Sequence, residues 1–194
     1  MKLPQHGGKR RGAGRKPKGP RALVSHAQRP KFDKPLPAHV TLKVRRDIPS
    51  LRASRRFLVI RRSFAASRRL HGMRLIHFNV LGDHLHLIVE AESSEALSRG
   101  MQGLNVRLAH ALNVLLERRG TVFADHYHAH LLRTPTEVAR AIRYVLANAE
   151  RHYGDRGPDD FCSTAPGMEA IVVPATTWLL RVGWRRIGGT AIDV

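Results

Sequence analysis

Met73-Arg-Leu-Ile-His-Phe-Asn-Val80 and His84-Leu-His-Leu-Ile-Val-Glu-Ala91 are the stretches on which the fold turns. Both are short and rich in β-branched and large apolar residues. Between them lies Gly82-Asp83, a dipeptide at home in a tight turn. They read as two strands of one hairpin. Side chains alternate along a strand, so His84 and His86 project from one face while Leu85 and Leu87 enter the other.

Upstream, His39-Val-Thr-Leu-Lys-Val-Arg45 alternates in the same way and predicts a strand, and residues 51–71 read as a basic amphipathic helix. Downstream, Leu97, Met101, Leu104, Leu108, Ala111 or Leu112, and Leu115 recur every three or four residues, which is one face of a helix ending near Gly120. A strand-like segment runs from Thr121 to Arg133. Thr134-Pro135-Thr136-Glu137 then offers an N-cap Thr, a Pro at the first helical position and a Glu three residues after the cap, so a helix is expected from there to about Tyr153. Residues 154–169 read as a Gly/Pro-rich loop, and Trp178 to Ile187 as a short helix packing back on the body. The order β-α-β-β-α-β-α predicts an α+β fold: a ferredoxin-like or RRM-like antiparallel sheet with helices on one face. The expected organisation is a basic flexible arm over 1–35, a body over 36–153, and a loop with a C-terminal helical extension over 154–194.

The chain has 194 residues, with 34 Lys and Arg against 15 Asp and Glu, a formal charge of +19. Such a charge repels itself unless a polyanion neutralises it, and nucleic acid is the commonest polyanion in a cell. The plain alternative is an origin in an Arg-rich proteome. Residues 1–34 alone carry eleven Lys or Arg and one acid. With its many Gly and Pro, the stretch holding Arg10, Arg11, Arg15 and Lys16 cannot bury a core and should be a mobile arm, able to lie along DNA or serving only solubility. Arg55 and its neighbours on the first helix could grip backbone phosphates, or form a solvated basic face. A single cysteine, Cys162, excludes a disulfide framework within one chain and fits a reducing, cytoplasmic setting, nucleoid-associated when bound to DNA. Apolar runs are too short for a spanning helix, so no membrane partner is expected.

Two imidazoles on one strand face can chelate a metal, but an HxH pair alone is incomplete, and taken by itself it is more often a polar strand face than a ligand set. The capped helix supplies what is missing. Tyr144 and Asn148, four residues apart, share a helix face, at the flank of the apolar stripe Val138, Ile142, Val145 and Ala149. Asn148 offers an amide oxygen as a hard ligand, and Arg140 and Arg151 on the polar side would attract a phosphate.

Together, His84-Leu85-His86 and Tyr144-Val-Leu-Ala-Asn148 resemble the HUH single-tyrosine transposases, including the REP-associated tyrosine transposases. These carry a His-hydrophobic-His strand and a later helix bearing a Tyr, with an Asn or Gln four residues on. Val122-Phe-Ala-Asp-His-Tyr127, Thr134-Pro-Thr-Glu-Val138 and Thr177-Trp-Leu-Leu-Arg-Val-Gly-Trp184 also look like the family, and the resemblance spans about 38–153 with a weaker echo to 188. The sequence departs from the family at Asp83, where an Asn often precedes the first His, and at Ala149, where relatives often have Pro. The resemblance implies an enzyme that cleaves and rejoins single-stranded or hairpin DNA. Tyr144 would be the nucleophile, a 5′-phosphotyrosine the intermediate, and Mg²⁺ or Mn²⁺ the ion on His84, His86 and Asn148. It leaves a homodimer open, since relatives include dimers and monomers.

Two other readings stand beside it. His126-Tyr-His-Ala-His130 followed by Leu131-Leu132 matches the histidine string of HIT nucleotide hydrolases, with His126, His128 and His130 in that role, although the capped Tyr helix has no place there. The chain could also be a DNA-binding protein that kept a transposase fold and lost its chemistry. His39-Val-Thr41 matches half of the motif of two-His phosphodiesterases, but no second copy exists and it carries no reading. Tyr127 and Tyr153, the other tyrosines, are expected to be structural or substrate-contacting.

Overall fold

The computed structural model describes residues 31–148, 153–154 and 159–187. Five strands form one antiparallel sheet: β1 (Leu36–Lys43), β2 (Arg69–Leu70), β3 (Met73–Val80), β4 (His84–Ala91) and β5 (His128–Leu131). Their spatial order is β2-β3-β4-β1-β5. Setting aside the two-residue β2, this is the ferredoxin-like arrangement the element order predicts, and both strands of the hairpin begin and end where the sequence pattern does. The Thr121–Arg133 segment is extended for less of its length. Only His128–Leu131 joins the sheet as a strand, with one further bridge between Phe123 and Val44.

Helices α1 (Ser54–Ser67) and α2 (Ser94–Leu115) share one face of the sheet. The strand residues facing them are apolar: Ala38, Val40 and Leu42 from β1, Leu85, Leu87 and Val89 from β4, and Leu75 and Phe78 from β3. Phe64 of α1 meets Phe78 with ring centroids 4.9 Å apart, and both are fully buried. Close approach of α2 depends on Gly100. A Cβ there would stand 2.5 Å from that of Met73 and 2.9 Å from the Leu70 carbonyl oxygen.

Not all helices lie on that face. Helix α3 (Pro135–Leu146) and the C-terminal pair, α4 (Trp178–Arg181) and a 3₁₀ turn (Gly183–Ile187), cover the opposite one. Val138, Ala141, Ile142 and Val145 of α3 pack there with Ile76, Ile88, Leu132, Leu180 and Trp184. Strand β4 lies mid-sheet with a layer on each side, which is why Ile88 is as buried as Leu87. A bulge at Ile76, between Leu75 and His77 in the β3–β4 register, turns that side chain into the α3 layer.

The capping box starts α3 as its sequence predicts: the Glu137 amide donates to Thr134 Oγ1 at 3.2 Å, and Thr134 N donates back to Glu137 Oε2 at 2.9 Å. Backbone N–H groups of Arg133 and Thr134 hold the Glu137 carboxyl below the usual carboxylate range. Past α3, the chain returns to the free edge of β3, where Val80 N donates to Phe161 O and Ser163 N to Phe78 O. That covers an edge otherwise open to further pairing. Buried Glu90 then fixes the last helix, accepting from the amides and hydroxyls of Thr176 and Thr177 at 2.6–2.9 Å. Among the described residues, no helix is long and apolar enough to cross a membrane.

Candidate functional site

Because β4 sends Leu85, Leu87 and Val89 into the α1/α2 core, it must send His84, His86, Ile88 and Glu90 to the α3 side. β1 adds His39 and Thr41 to that face, and β5 adds His128 and His130. Helix α3 crosses above it, and its buried stripe leaves Tyr144 at the flank. The structure therefore brings together what 58 positions of sequence separate: His86 and Tyr144 lie with ring centroids 5.1 Å apart, and His84 and His86 at 4.8 Å.

His39 closes a triangle of rings, its centroid 5.1 Å from His86 and 5.6 Å from Tyr144. The sequence offered His39 only as half of a two-His phosphodiesterase motif, and the signal for a site residue was its alternation with Val40 and Leu42. Burial, aided by positive charge from His128 and His130, lowers its pKa to about 4, so the ring is uncharged at neutral pH. His39 Nε2 stands 3.1 Å from His86 Nδ1, and Thr41 Oγ1 stands 3.2 Å from the same nitrogen. His84 Nδ1 donates to Asp83 Oδ1 at 2.6 Å, and that hydrogen bond keeps the Asp83 carboxyl below the usual range. The departure at Asp83 thus touches the site directly, as the carboxylate that orients His84.

The end of α3 is tied down from below. Asn79, fully buried in β3, donates from Nδ2 to the carbonyl of Val145, the residue after Tyr144. Asn148, one turn beyond Tyr144, is 1% exposed, and its Nδ2 has no hydrogen-bond partner among the described residues. On the other flank a cleft of about 670 Å³ opens beside Tyr144, lined by His39, His130, Glu137, Arg140 and Arg143. Arg140, expected from the sequence to attract a phosphate, lines this cleft, and Arg143, one position before Tyr144, joins it without a sequence signal.

Other expected residues lie elsewhere. Arg55 sits exposed on α1, across the sheet from Tyr144, so it is not part of this cluster. Arg10, Arg11, Arg15, Lys16 and Arg151 fall outside the described residues, as does the expected continuation of α3 over 149–152. His128 and His130 lie on β5, whereas His126 precedes it, so the three histidines do not form one strand-borne row. Tyr153 accepts a hydrogen bond from Gly82 N at 2.9 Å and stacks under Arg52, while Tyr127 is buried in the α1/α2 core.

For a divalent ion, the donors expected from the sequence are the imidazoles of His84 and His86 and the amide oxygen of Asn148. With each Nδ1 already engaged, coordination through either imidazole would use Nε2, the common arrangement for metal-ligating histidines. The Nδ2 of buried Asn148, which has no partner among the described residues, is a donor and would face an acceptor such as a phosphate oxygen or a water; a cation would be met by its Oδ1. Among the described residues, no cluster of three or more His, Cys, Asp or Glu is placed to hold a metal.

Among solved structures, the chain is similar to a REP-associated tyrosine transposase bound to a REP hairpin, with 16% identity, 79% of this chain and 93% of that one covered, and a TM-score of 0.61. At this identity the likeness establishes a shared fold. A protein from Deinococcus radiodurans, described as a candidate transposase, aligns at 13% identity over 64% of this chain and 95% of its own, with a TM-score of 0.43, too low to carry an argument. No family model and no curated protein matches the sequence.

Proposed function

We propose that the chain is a DNA strand-transfer enzyme of the HUH single-tyrosine type, with Tyr144 as nucleophile and His84, His86 and Asn148 as ligands of Mg²⁺ or Mn²⁺. The observation that carries this reading is the 5.1 Å between the Tyr144 and His86 rings, which come from separate elements. The fold shared with a hairpin-bound REP-associated tyrosine transposase and the +19 charge support single-stranded or hairpin DNA as the substrate.

Tyr144 Oη attacks the scissile phosphorus, the bond from phosphorus to O3′ breaks, the phenolic proton is lost and the departing 3′ oxygen gains one. The products are a 5′-phosphotyrosine and a free 3′-OH. Attack by that hydroxyl, or by another strand's, releases Tyr144 and reseals the backbone without ATP. A free phenol titrates near about pH 10, so it needs help at neutral pH. Arg140 and Arg143 line the cleft beside Tyr144, where they orient the phosphate. A divalent cation on the paired histidines would withdraw charge from the scissile phosphate. Asp83 holds His84, Asn79 holds the end of α3, and the apolar stripe of α3 fixes the height of Tyr144 over the sheet.

Tyr144→Phe should abolish nicking of a hairpin-bearing single strand while leaving affinity for it within about twofold of wild type. EDTA should stop cleavage by the wild-type chain. Cutting by the Phe variant would remove Tyr144 from its role, and undiminished cutting in EDTA would remove the ion. A wild-type chain that binds the hairpin but never nicks it would leave a DNA-binding protein on a transposase fold.

A further inference from the structure

The two paired imidazoles are held in different ways. His84 faces a carboxylate, which accepts when ionised, so His84 Nδ1 carries a proton and its Nε2 can keep a lone pair. His86 Nδ1 faces a second imidazole and a hydroxyl, His39 Nε2 at 3.1 Å and Thr41 Oγ1 at 3.2 Å, and each of these can donate or accept. Two arrangements therefore satisfy the same distances. If the partners donate into Nδ1, the proton of His86 sits on Nε2, which then has no lone pair for a cation. If Nδ1–H donates outward, Nε2 keeps its lone pair and His86 matches His84.

We propose that His39 and Thr41 are positioning residues that share the proton on His86 Nδ1, presenting Nε2 as the ligand atom, and that His39 also sets the angle between His86 and Tyr144. This rests on the reading of His84 and His86 as a cation site. The strand register supports it. Thr41 is the direct cross-strand partner of His86, and β1 lies between β4 and β5, so neither side chain of the pair can be carried away by an edge strand. His39 touches both rings in the triangle of 5.1, 5.6 and 5.1 Å, so an imidazole there fixes the ligand and the nucleophile at once. A bifurcated hydrogen bond from one N–H to two acceptors is ordinary in proteins.

The tautomer can be read directly. Long-range ¹H–¹⁵N correlation spectra of the metal-free, histidine-labelled full chain, at about pH 7.5, should show His86 protonated at Nδ1. His39→Phe combined with Thr41→Val keeps both shapes, removes both acceptors and should move the proton to Nε2. Wild-type His86 protonated at Nε2, or a tautomer unmoved in the double variant, overturns the proposal. Calorimetric titration with Mn²⁺ gives the second reading. The double variant should bind about 10- to 100-fold more weakly than wild type, the range for loss of outer-shell partners. Thr41→Val with His39→Gln, whose amide oxygen can accept, should recover most of that loss. If His86→Ala abolishes Mn²⁺ binding while the double variant binds like wild type, the positioning role is wrong and the cation site stands. If the wild-type chain takes up no Mn²⁺, the cation site itself is wrong and the ligand role proposed here falls with it.

Discussion

On the side covered by α1 and α2, the strands contribute Val40, Leu42, Leu85, Leu87 and Val89 to an apolar layer that meets Phe57, Phe64 and Leu104. On the side covered by α3, alternate residues of the same strands contribute Thr41, His39, His84, His86 and Glu90. The first face is stabilised by removing apolar area from water, which is non-directional and tolerates similar shapes. The second adds to its apolar patch around Ile88 a set of directional hydrogen bonds, from Asn79 to the end of α3 and from Thr176 and Thr177 to Glu90, which fix how α3 and the last helix sit. One sheet thus separates the layer that supplies stability from the layer that supplies geometry, and a one-residue shift of register would exchange them.

Substitutions should reveal that division. The largest stability loss is expected from Phe64→Ala, which empties a fully buried site against Phe78 and should cost about 3–5 kcal/mol in denaturant unfolding. It should leave the intrinsic nicking chemistry of whatever stays folded unchanged, the reverse of Tyr144→Phe. Glu90→Gln should cost about 2–3 kcal/mol, because a carboxylate accepting four hydrogen bonds becomes an amide that can accept with only one oxygen. Its signature would be faster hydrogen exchange over residues 176–187 while β1 and β4 stay protected; uniform acceleration would mean that the polar layer is not a separable unit.

Acidification should act through two partly buried histidines, His77 of β3 and His39 of β1, whose pKa values are both lowered to about 4. Burial lowers the His77 pKa from 6.5 to about 4, while the unfolded chain keeps the ordinary value. Below about pH 6.5 the unfolded state binds the proton more readily, so stability should fall as pH drops towards 4 and level off below it. The His77 share of the loss should be at most about 3 kcal/mol, and His77→Gln should make the profile shallower while His39 keeps the remainder. An unchanged slope in the variant would place the pH dependence elsewhere. The smallest effect is expected from Thr134→Ala, which removes one half of the α3 capping box for about 1 kcal/mol, read as a lower Tm.

Local patterns revealed much of this molecule. Periodicity marked β3, β4 and α2, and the Thr134–Glu137 box marked the start of α3 because both cap partners lie three residues apart. Strand alternation put His84 and His86 on one face, and helical spacing put Tyr144 at the flank of an apolar stripe. His39 and Thr41 were not legible as site residues, since their partners are 47 and 45 residues away and a lone His-Val-Thr resembles any polar strand face. The length of β5 and the place of Arg55 were likewise undetermined, because both depend on which neighbour each element finds.

The amino-acid order alone determined the type of each main element, the start of α3 and the face on which each histidine stands, since these follow from backbone periodicity and contacts a few residues long. Only the tertiary structure decided that α3 crosses the sheet on the histidine side and that Asn79, His39 and Asp83 brace the cluster. The reason is physical. Which face a helix covers is set by the summed burial of Ile76, Ile88, Leu132 and Trp184 with its stripe, a sum over residues that meet only when the chain has folded.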